Sequence, residues 1–124
     1  MGKLQGKKAF ITGAEQGIGF HTAKCLIEAG CDVYIHYFSG TEGPENLVEL
    51  AHSLGQRAEF GPADLTKQDA AEKSVTDGTA FLGGMDVLVN NVGGIIARKW
   101  LGEIDRDFWQ TVIDVNMTTM MHVT

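Results

Sequence analysis

Three glycines, Gly13, Gly17 and Gly19, lie in the stretch TGAEQGIG, which directly follows the apolar run KKAFI. Glycines in such a turn let the chain bend sharply, let backbone approach a pyrophosphate, and let the next helix pack closely. The N-terminus of that helix offers free N–H groups and a partial positive charge to phosphates. The stretch has neither the spacing Gly-x-Gly-x-x-Gly nor a Gly-Lys-Ser/Thr ending, which disfavours an ATP-binding P-loop. It therefore predicts nucleotide binding, and the alternative is a glycine-rich turn without a ligand.

Strand-like and helix-like segments alternate along the chain and would position this turn. The predicted strands are KKAFIT, DVYIHYF, RAEFGPAD and MDVLVNN. The predicted helices are 17–29, 44–55, 67–81, and a last helix that Asp105 caps and that runs to the terminus. Thr66, with Asp69 three residues later, resembles a capping box for the third helix, which is polar and expected at the surface.

This alternation predicts an α/β fold. We expect parallel strands joined by right-handed crossovers, with helices on both faces of the sheet. The chain contains no linker and forms one domain.

Composition and charge exclude several classes of protein. A formal net charge of -6 would repel nucleic acid and anionic membranes. No apolar run approaches the ~20 residues of a membrane helix, and the N-terminal residues contain no export signal. Two cysteines and four scattered histidines indicate neither a disulfide framework nor a metal site. We therefore predict a cytoplasmic protein with no nucleic-acid or membrane partner.

Four motifs in order make the chain resemble the short-chain dehydrogenase/reductase family. The family's Thr-Gly-x-x-x-Gly-x-Gly signature is matched by residues 12–19. Asp64, in ADLT, matches the acid that contacts the adenine ring in that family. NNVGG, residues 90–94, matches the strand end beside the cofactor, with Val92 where alanine is usual. Asn116, in VIDVN, matches the family's catalytic-site asparagine.

The resemblance implies an α/β, Rossmann-like parallel sheet of strand order 3-2-1-4, truncated after the fourth strand and its following helix. Residues 1–124 would then form a single partial domain, the dinucleotide-binding half of a larger fold. The resemblance also implies a nicotinamide dinucleotide cofactor and a catalytic-site role for Asn116. The residues it implies for cofactor binding are Gly13, Glu15, Gln16, Gly17, Ile18, Gly19, Tyr37, Ser39, Asp64, Leu65, Asn91, Val92 and Gly93.

Several of these matches have a structural alternative. Asp64 could be an ordinary loop carboxylate, although Thr66 is already available to cap the helix. Asn90 and Asn91 could satisfy backbone groups at a strand end, and the resemblance gives Asn90 much of that structural role. Asn116 lies among apolar residues of a helix that we expect to be buried, where an amide needs hydrogen-bond partners.

The end of the second strand should distinguish NAD from NADP, because an acid there binds the ribose diol and a base accepts the 2′-phosphate. Residues 37–41, YFSGT, offer neither. Relatives that prefer NAD usually carry an acid near Tyr37, so its absence favours NADP, and Ser39 and Thr41 could hydrogen-bond a phosphate. Against this, Gln16 stands where relatives that prefer NADP often have a basic residue, and Glu15 would be unfavourable near a phosphate. On balance the sequence favours NADP over NAD.

The resemblance implies hydride transfer between nicotinamide and a carbonyl or alcohol carbon. In the family a tyrosine moves the proton and a lysine four residues later lowers its pKa. The chain contains no such pair, since the fourth residue after Tyr34 is Phe38 and after Tyr37 is Thr41. The favoured hypothesis is an oxidoreductase represented by its cofactor-binding half and inactive alone. The alternatives are a non-catalytic dinucleotide-binding or self-associating module, or a partner polypeptide that supplies the missing pair.

Two apolar surfaces are expected to remain unpaired. The strand MDVLVNN would lie at the edge of the sheet, where its backbone could pair with another chain. One face of the last helix would carry Phe108, Trp109, Ile113, Met117 and Met121. Exposed apolar patches of this kind mark contact surfaces, so we expect a homo-oligomer formed through the fourth strand or the last helix.

Overall fold

The computed structural model describes residues 2–124. Its strands are β1 (Lys8–Ile11), β2 (Asp32–Tyr37), β3 (Ala58–Pro62) and β4 (Val87–Val89). Its helices are α1 (Gly17–Glu28), α2 (Glu42–Ser53), α3 (Gln68–Leu82), α4 (Arg106–Ile113) and α5 (Thr119–Val123). A 3-10 turn, Leu101–Glu103, precedes α4, and a π-helical turn, Asp114–Thr118, joins α4 to α5. Every predicted strand and helix is present, with ends shifted by a few residues.

The four strands are parallel, as their alternation with helices predicted, and lie in the order β3-β2-β1-β4 that the resemblance implied. The chain moves from β1 to β2 in one direction and reaches β4 on the other side of β1. Dinucleotides bind at such a reversal of strand order, beyond the carboxyl ends of the strands. The turn after β1 and the segment after β4 therefore meet at the position where a ligand is expected.

Alternating side chains of β1 contribute to two separate cores. Ala9 and Ile11 belong to the core that includes residues of α1 and α2. Phe10 belongs to the opposite core, with residues of α3 and α5, and its ring stacks on Tyr34 with the centroids 5.2 Å apart. Each fully buried large apolar side chain contributes about 1.5–3 kcal/mol to the stability of the fold. The helices on both faces therefore hold the sheet in place through these two cores.

Helix α3 is polar and largely exposed, as predicted, and its inner face packs closely against the sheet. Its buried residues are Ala71, Ser74, Gly78 and Leu82. A Cβ atom at Gly78 would lie 2.4 Å from Cε2 of Phe10, so the absence of a side chain permits the close approach. The buried stripe is made mostly of small residues, which contribute little apolar periodicity to the sequence.

The end of α2 agrees with the prediction, but its start does not. We expected Pro44 as the first helical residue, whereas α2 begins at Glu42 and Pro44 is the third.

Asp105 caps α4 as predicted, because its Oδ1 accepts a hydrogen bond from Phe108 N at 2.7 Å.

Apolar surface is exposed at the last helix and around the sheet edge. Trp109, Met117 and Met121 are each more than half exposed. Strand β4 lies at the edge of the sheet and is only half-buried.

Within residues 2–124, every helix falls short of the length and apolarity that a membrane span requires. The same range contains no cluster of three or more side chains suited to hold a metal ion.

Candidate functional site

The turn between β1 and α1 offers backbone donors to an anion. Gly13 and Gly17 have φ angles of 65° and 62°, a left-handed region that favours glycine. Gly19 lies so close to the turn that a Cβ there would be 2.3 Å from the carbonyl oxygen of Gly13. The residue before α1, Gln16, makes no capping bond with its side chain, and the first turn of α1 carries no acid. The first N–H groups of α1 are therefore available to phosphate oxygens.

Thr12 joins this turn to the segment that follows β4. Its buried Oγ1 accepts hydrogen bonds from the backbone N–H groups of Asn91 (2.9 Å) and Val92 (3.1 Å). Asn91 makes a second bond to the turn, because its Nδ2 donates to the carbonyl oxygen of Gly13 at 3.0 Å. Asn90 lies apart from the turn and donates to Oγ1 of Thr124. Asn91 therefore satisfies a backbone group at this strand end, a structural role that the resemblance had implied mainly for Asn90.

His36 is a site residue that sequence reasoning missed. It is almost fully buried at the end of β2, and its Nδ1 accepts a hydrogen bond from Gly13 N at 3.0 Å. Its Nε2 lies 2.8 Å from the carbonyl oxygen of Ala63. Both contacts are satisfied when the ring is neutral with its proton on Nε2. Burial lowers the pKa of His36, and the bond to Ala63 and the charge of Glu15 oppose that shift only in part.

We predict that His36 makes the stability of the protein depend on pH. Its pKa is lower in the folded chain than in the unfolded chain, where it is about 6.5. The unfolded chain therefore binds more protons between these two values. The stabilisation that the neutral His36 ring contributes to the folded chain is fully present above about pH 6.5. It is lost as the pH falls toward the lowered pKa of His36. Urea unfolding at a series of pH values should show this fall.

The matched variant is His36→Gln, since glutamine offers both an acceptor and a donor but does not titrate. It should flatten the pH dependence of the unfolding free energy as the pH falls below about 6.5. An unchanged slope in this variant would assign the dependence to other groups.

Asp64 is held in a tight turn by Thr66. Its Oδ1 accepts hydrogen bonds from the Thr66 hydroxyl at 2.6 Å and from Thr66 N at 3.0 Å. The bond from the hydroxyl is the main cause that lowers the pKa of the Asp64 carboxyl. The predicted capping box is wrong, because Lys67 is the N-cap of α3 and makes no side-chain capping bond. Thr66 instead orients Asp64, and the adjacent Leu65 is buried.

The carboxyl end of β2 is occupied by a side chain from the glycine turn. Oε2 of Glu15 accepts a hydrogen bond from Phe38 N at 2.8 Å and a longer one from Ser39 N at 3.4 Å. The Tyr37 ring packs near Phe60, with the centroids 5.7 Å apart. A carboxylate therefore does lie at this strand end, although the local sequence of β2 contains none there.

Asn116 lies within the π-helical turn, a feature that frequently occurs at functional sites. It is exposed in residues 2–124, which corrects the expectation of a buried amide. Its Oδ1 accepts from Gly94 N, and its Nδ2 donates to the carbonyl oxygens of Gly94 and Val112, at 2.9, 2.9 and 3.0 Å. Asn116 therefore holds the backbone of the NNVGG segment.

These segments surround one open cavity of about 670 Å³. Its lining residues are Gly13, Glu15, Gln16, Gly17, Ile18, His36, Phe38, Ser39, Ala63, Asp64, Leu65, Thr66, Asn91, Val92, Gly93, Val115 and Thr119. The predicted residues Gly19, Tyr37 and Asn116 are outside this lining. The cavity thus joins a helix N-terminus at one wall to the carboxyl ends of β2, β3 and β4, an arrangement suited to an extended anionic ligand.

A family model described as short chain dehydrogenase matches residues 7–124. The chain belongs to this family. All of the recognised motifs therefore lie in the matched region, and the observed order of parallel strands agrees with the fold that the resemblance implied.

Two curated relatives illustrate the similarity. Nodulation protein G of Rhizobium sp. (strain N33) is 38% identical over 124 residues, which is 100% of this chain and 49% of the relative. A 3-oxoacyl-[acyl-carrier-protein] reductase of Chlamydia trachomatis is 32% identical over 122 residues, covering 98% of this chain and 49% of the relative. The chain therefore spans about half the length of the curated relatives it matches.

Two solved structures are similar over nearly the whole chain. An NADH-dependent reductase complexed with NAD has a TM-score of 0.90 and 33% identity, covering 98% of this chain and 50% of that one. A short chain dehydrogenase from Burkholderia cenocepacia in complex with NADP has a TM-score of 0.90 and 34% identity, covering 98% of this chain and 49% of that one. Family members of this fold therefore bind either dinucleotide.

Proposed function

We propose that the chain binds a nicotinamide dinucleotide in the 670 Å³ cavity, with the pyrophosphate at the N-terminus of α1. The observation that supports the proposal is that three separate segments line this cavity: the glycine turn, the loop at Asp64, and the NNVGG segment after β4. The free N–H groups of α1 would bind the phosphates. The Asp64 carboxylate, which Thr66 orients, would accept a hydrogen bond from the adenine amino group.

We further propose that the whole protein is an oxidoreductase of the short-chain type. The bound dinucleotide would supply or accept a hydride at a carbonyl or alcohol carbon. Asn116 would hold the backbone at Gly94, through the pair of hydrogen bonds described above, and so fix the NNVGG wall of the cavity. Residues 1–124 lack the pair of a tyrosine and a lysine four residues later that the family reaction uses. We therefore expect turnover by these residues alone to be near background.

A cytoplasmic location stays a prediction.

The preferred dinucleotide is a separate proposal. The sequence favoured NADP because residues 37–41 contain no acid. The contacts of Glu15 argue in the other direction, since they bring a carboxylate to Phe38 and Ser39. We therefore propose NAD as the preferred cofactor.

A titration with NADH and NADPH tests the binding proposal. Energy transfer from Trp100 and Trp109 to the reduced nicotinamide would report occupancy. We expect saturable binding without measurable oxidation of the cofactor in the presence of carbonyl compounds. The absence of binding by either dinucleotide would contradict the proposed function and favour a module that only self-associates.

Self-association is the second proposal, and the exposed apolar side chains of the last helix favour it. We predict that the 13.4 kDa chain sediments as a dimer or larger species at micromolar concentration. The double variant Trp109→Lys and Met121→Lys should shift the chain toward the monomer, because burying the added charges is costly. Thr111→Lys, about half a turn away from Trp109 on α4, is the control and should leave the assembly unchanged. A monomeric wild-type chain would contradict the proposal, whereas an unaffected double variant would move the interface to β4.

A further inference from the structure

Glu15 connects the glycine turn to the exit of β2. Its Oε2 atom accepts from two consecutive backbone N–H groups, those of Phe38 and Ser39. The backbone of Glu15 is fixed as well, because α2 packs so closely that a Cβ at Gly43 would lie 2.1 Å from the Glu15 carbonyl oxygen. The carboxylate is therefore held at the strand end where a dinucleotide fold receives the adenosine ribose.

The surroundings of this carboxylate are poor in positive charge. Glu15 and Ser39 line both the main cavity and a smaller one of about 380 Å³ beside it. The smaller cavity is lined by Glu15, Gln16, Phe20, Ser39, Gly40, Glu42, Gly43 and Asn46. It thus contains a second carboxylate, Glu42. No lysine or arginine occurs among the described residues that line either cavity.

A 2′-phosphate needs N–H donors and cationic side chains to replace its hydration. At this strand end, the N–H groups of Phe38 and Ser39 are already engaged by Glu15. The carboxylate would also repel the phosphate at short range. A 2′-hydroxyl, in contrast, carries a proton that a carboxylate accepts, and the contacts through Oε2 leave Oε1 for that bond.

We infer that Glu15 selects NAD over NADP, by accepting a hydrogen bond from the adenosine 2′-hydroxyl and by repelling the 2′-phosphate. This inference rests on the proposed function, because it specifies the dinucleotide of the same site. The glycine turn thereby supplies the acid that the end of β2 lacks.

The test compares NADH and NADPH binding by the wild-type chain and by Glu15→Gln. Glutamine keeps an acceptor for Phe38 N but carries no charge, so the turn should keep its geometry, which circular dichroism would check. We expect the wild-type chain to bind NADH at least about tenfold more tightly than NADPH, a ratio of the size that one charge at close range produces. Glu15→Gln should bring the ratio close to one, and Glu15→Lys should invert it.

Glu49→Gln is the matched control, because it removes one negative charge from an exposed position of α2 outside both cavities. It should leave the ratio unchanged. Equal binding of the two dinucleotides by the wild-type chain, or an unaltered ratio in Glu15→Gln, would overturn the inference and leave the proposed function standing. Failure of the wild-type chain to bind either one would overturn the proposed function itself.

Discussion

Replacing Gly19 with alanine is expected to abolish dinucleotide binding and to lower the free energy of unfolding by about 3 kcal/mol, as overpacking of a tight contact does. The added Cβ would lie 2.3 Å from the carbonyl oxygen of Gly13 and 2.4 Å from Nδ2 of Asn91. Relief of the clash requires α1 to move away from the turn. That movement would displace the N–H groups proposed to bind the pyrophosphate.

Gly102→Ala is the control for this prediction, because a Cβ at Gly102 meets nothing within 4 Å. Urea unfolding and a titration with NADH, applied to both variants, measure the two effects separately. Near-normal stability and binding in Gly19→Ala would show that the turn can relax, and would remove the steric reason for a glycine at that position.

The second large effect is expected from Thr12→Val. Valine has nearly the same shape as threonine but cannot accept the hydrogen bonds from the backbone N–H groups of Asn91 and Val92. Leaving buried donors without partners costs about 1–3 kcal/mol each, so we expect a loss of about 3 kcal/mol in unfolding free energy. The NNVGG segment should also separate from the glycine turn, which would weaken dinucleotide binding.

Thr12→Ser distinguishes the hydroxyl from the methyl group. Serine keeps the acceptor and loses one buried methyl, at a cost of about 1 kcal/mol. Chemical denaturation should therefore place Thr12→Ser close to the wild type and Thr12→Val well below it. Equal destabilisation of the two variants would mean that packing of the methyl, and not the hydrogen bonds, is what matters at this position.

The parallel pairing of the strands could be predicted because its signals are local, whereas the strand order came from the family resemblance. Apolar runs such as MDVLVNN identify strands, and alternation with helices requires parallel pairing and right-handed crossovers. The packing of α3 could not be read in this way, since its contact with Phe10 depends on the missing side chain of Gly78. A small-residue stripe has little apolar periodicity even where it is buried.

The candidate site was predicted in its motifs but not in its internal contacts. The glycine turn, Asp64 and the NNVGG segment each have a recognisable sequence pattern, and the structure brings them around one cavity. The bond from Gly13 to His36 and the bonds from Phe38 and Ser39 to Glu15 join residues more than 20 positions apart. The periodicity of apolar residues does not identify such hydrogen-bonded pairs. The π-helical turn at Asn116 was missed for the same reason, because it departs from regular helical spacing.

Binding of a nicotinamide dinucleotide at the carboxyl ends of the strands, against the glycine turn, should protect backbone amides on both sides of the cavity. Amide hydrogen exchange followed by mass spectrometry, with and without NAD, measures this protection and tolerates self-association. We expect slower exchange in peptides spanning residues 12–20 and 90–94, and unchanged exchange in the outer turns of α2. Unchanged exchange in the first two peptides at a saturating concentration of NAD would contradict binding at this site.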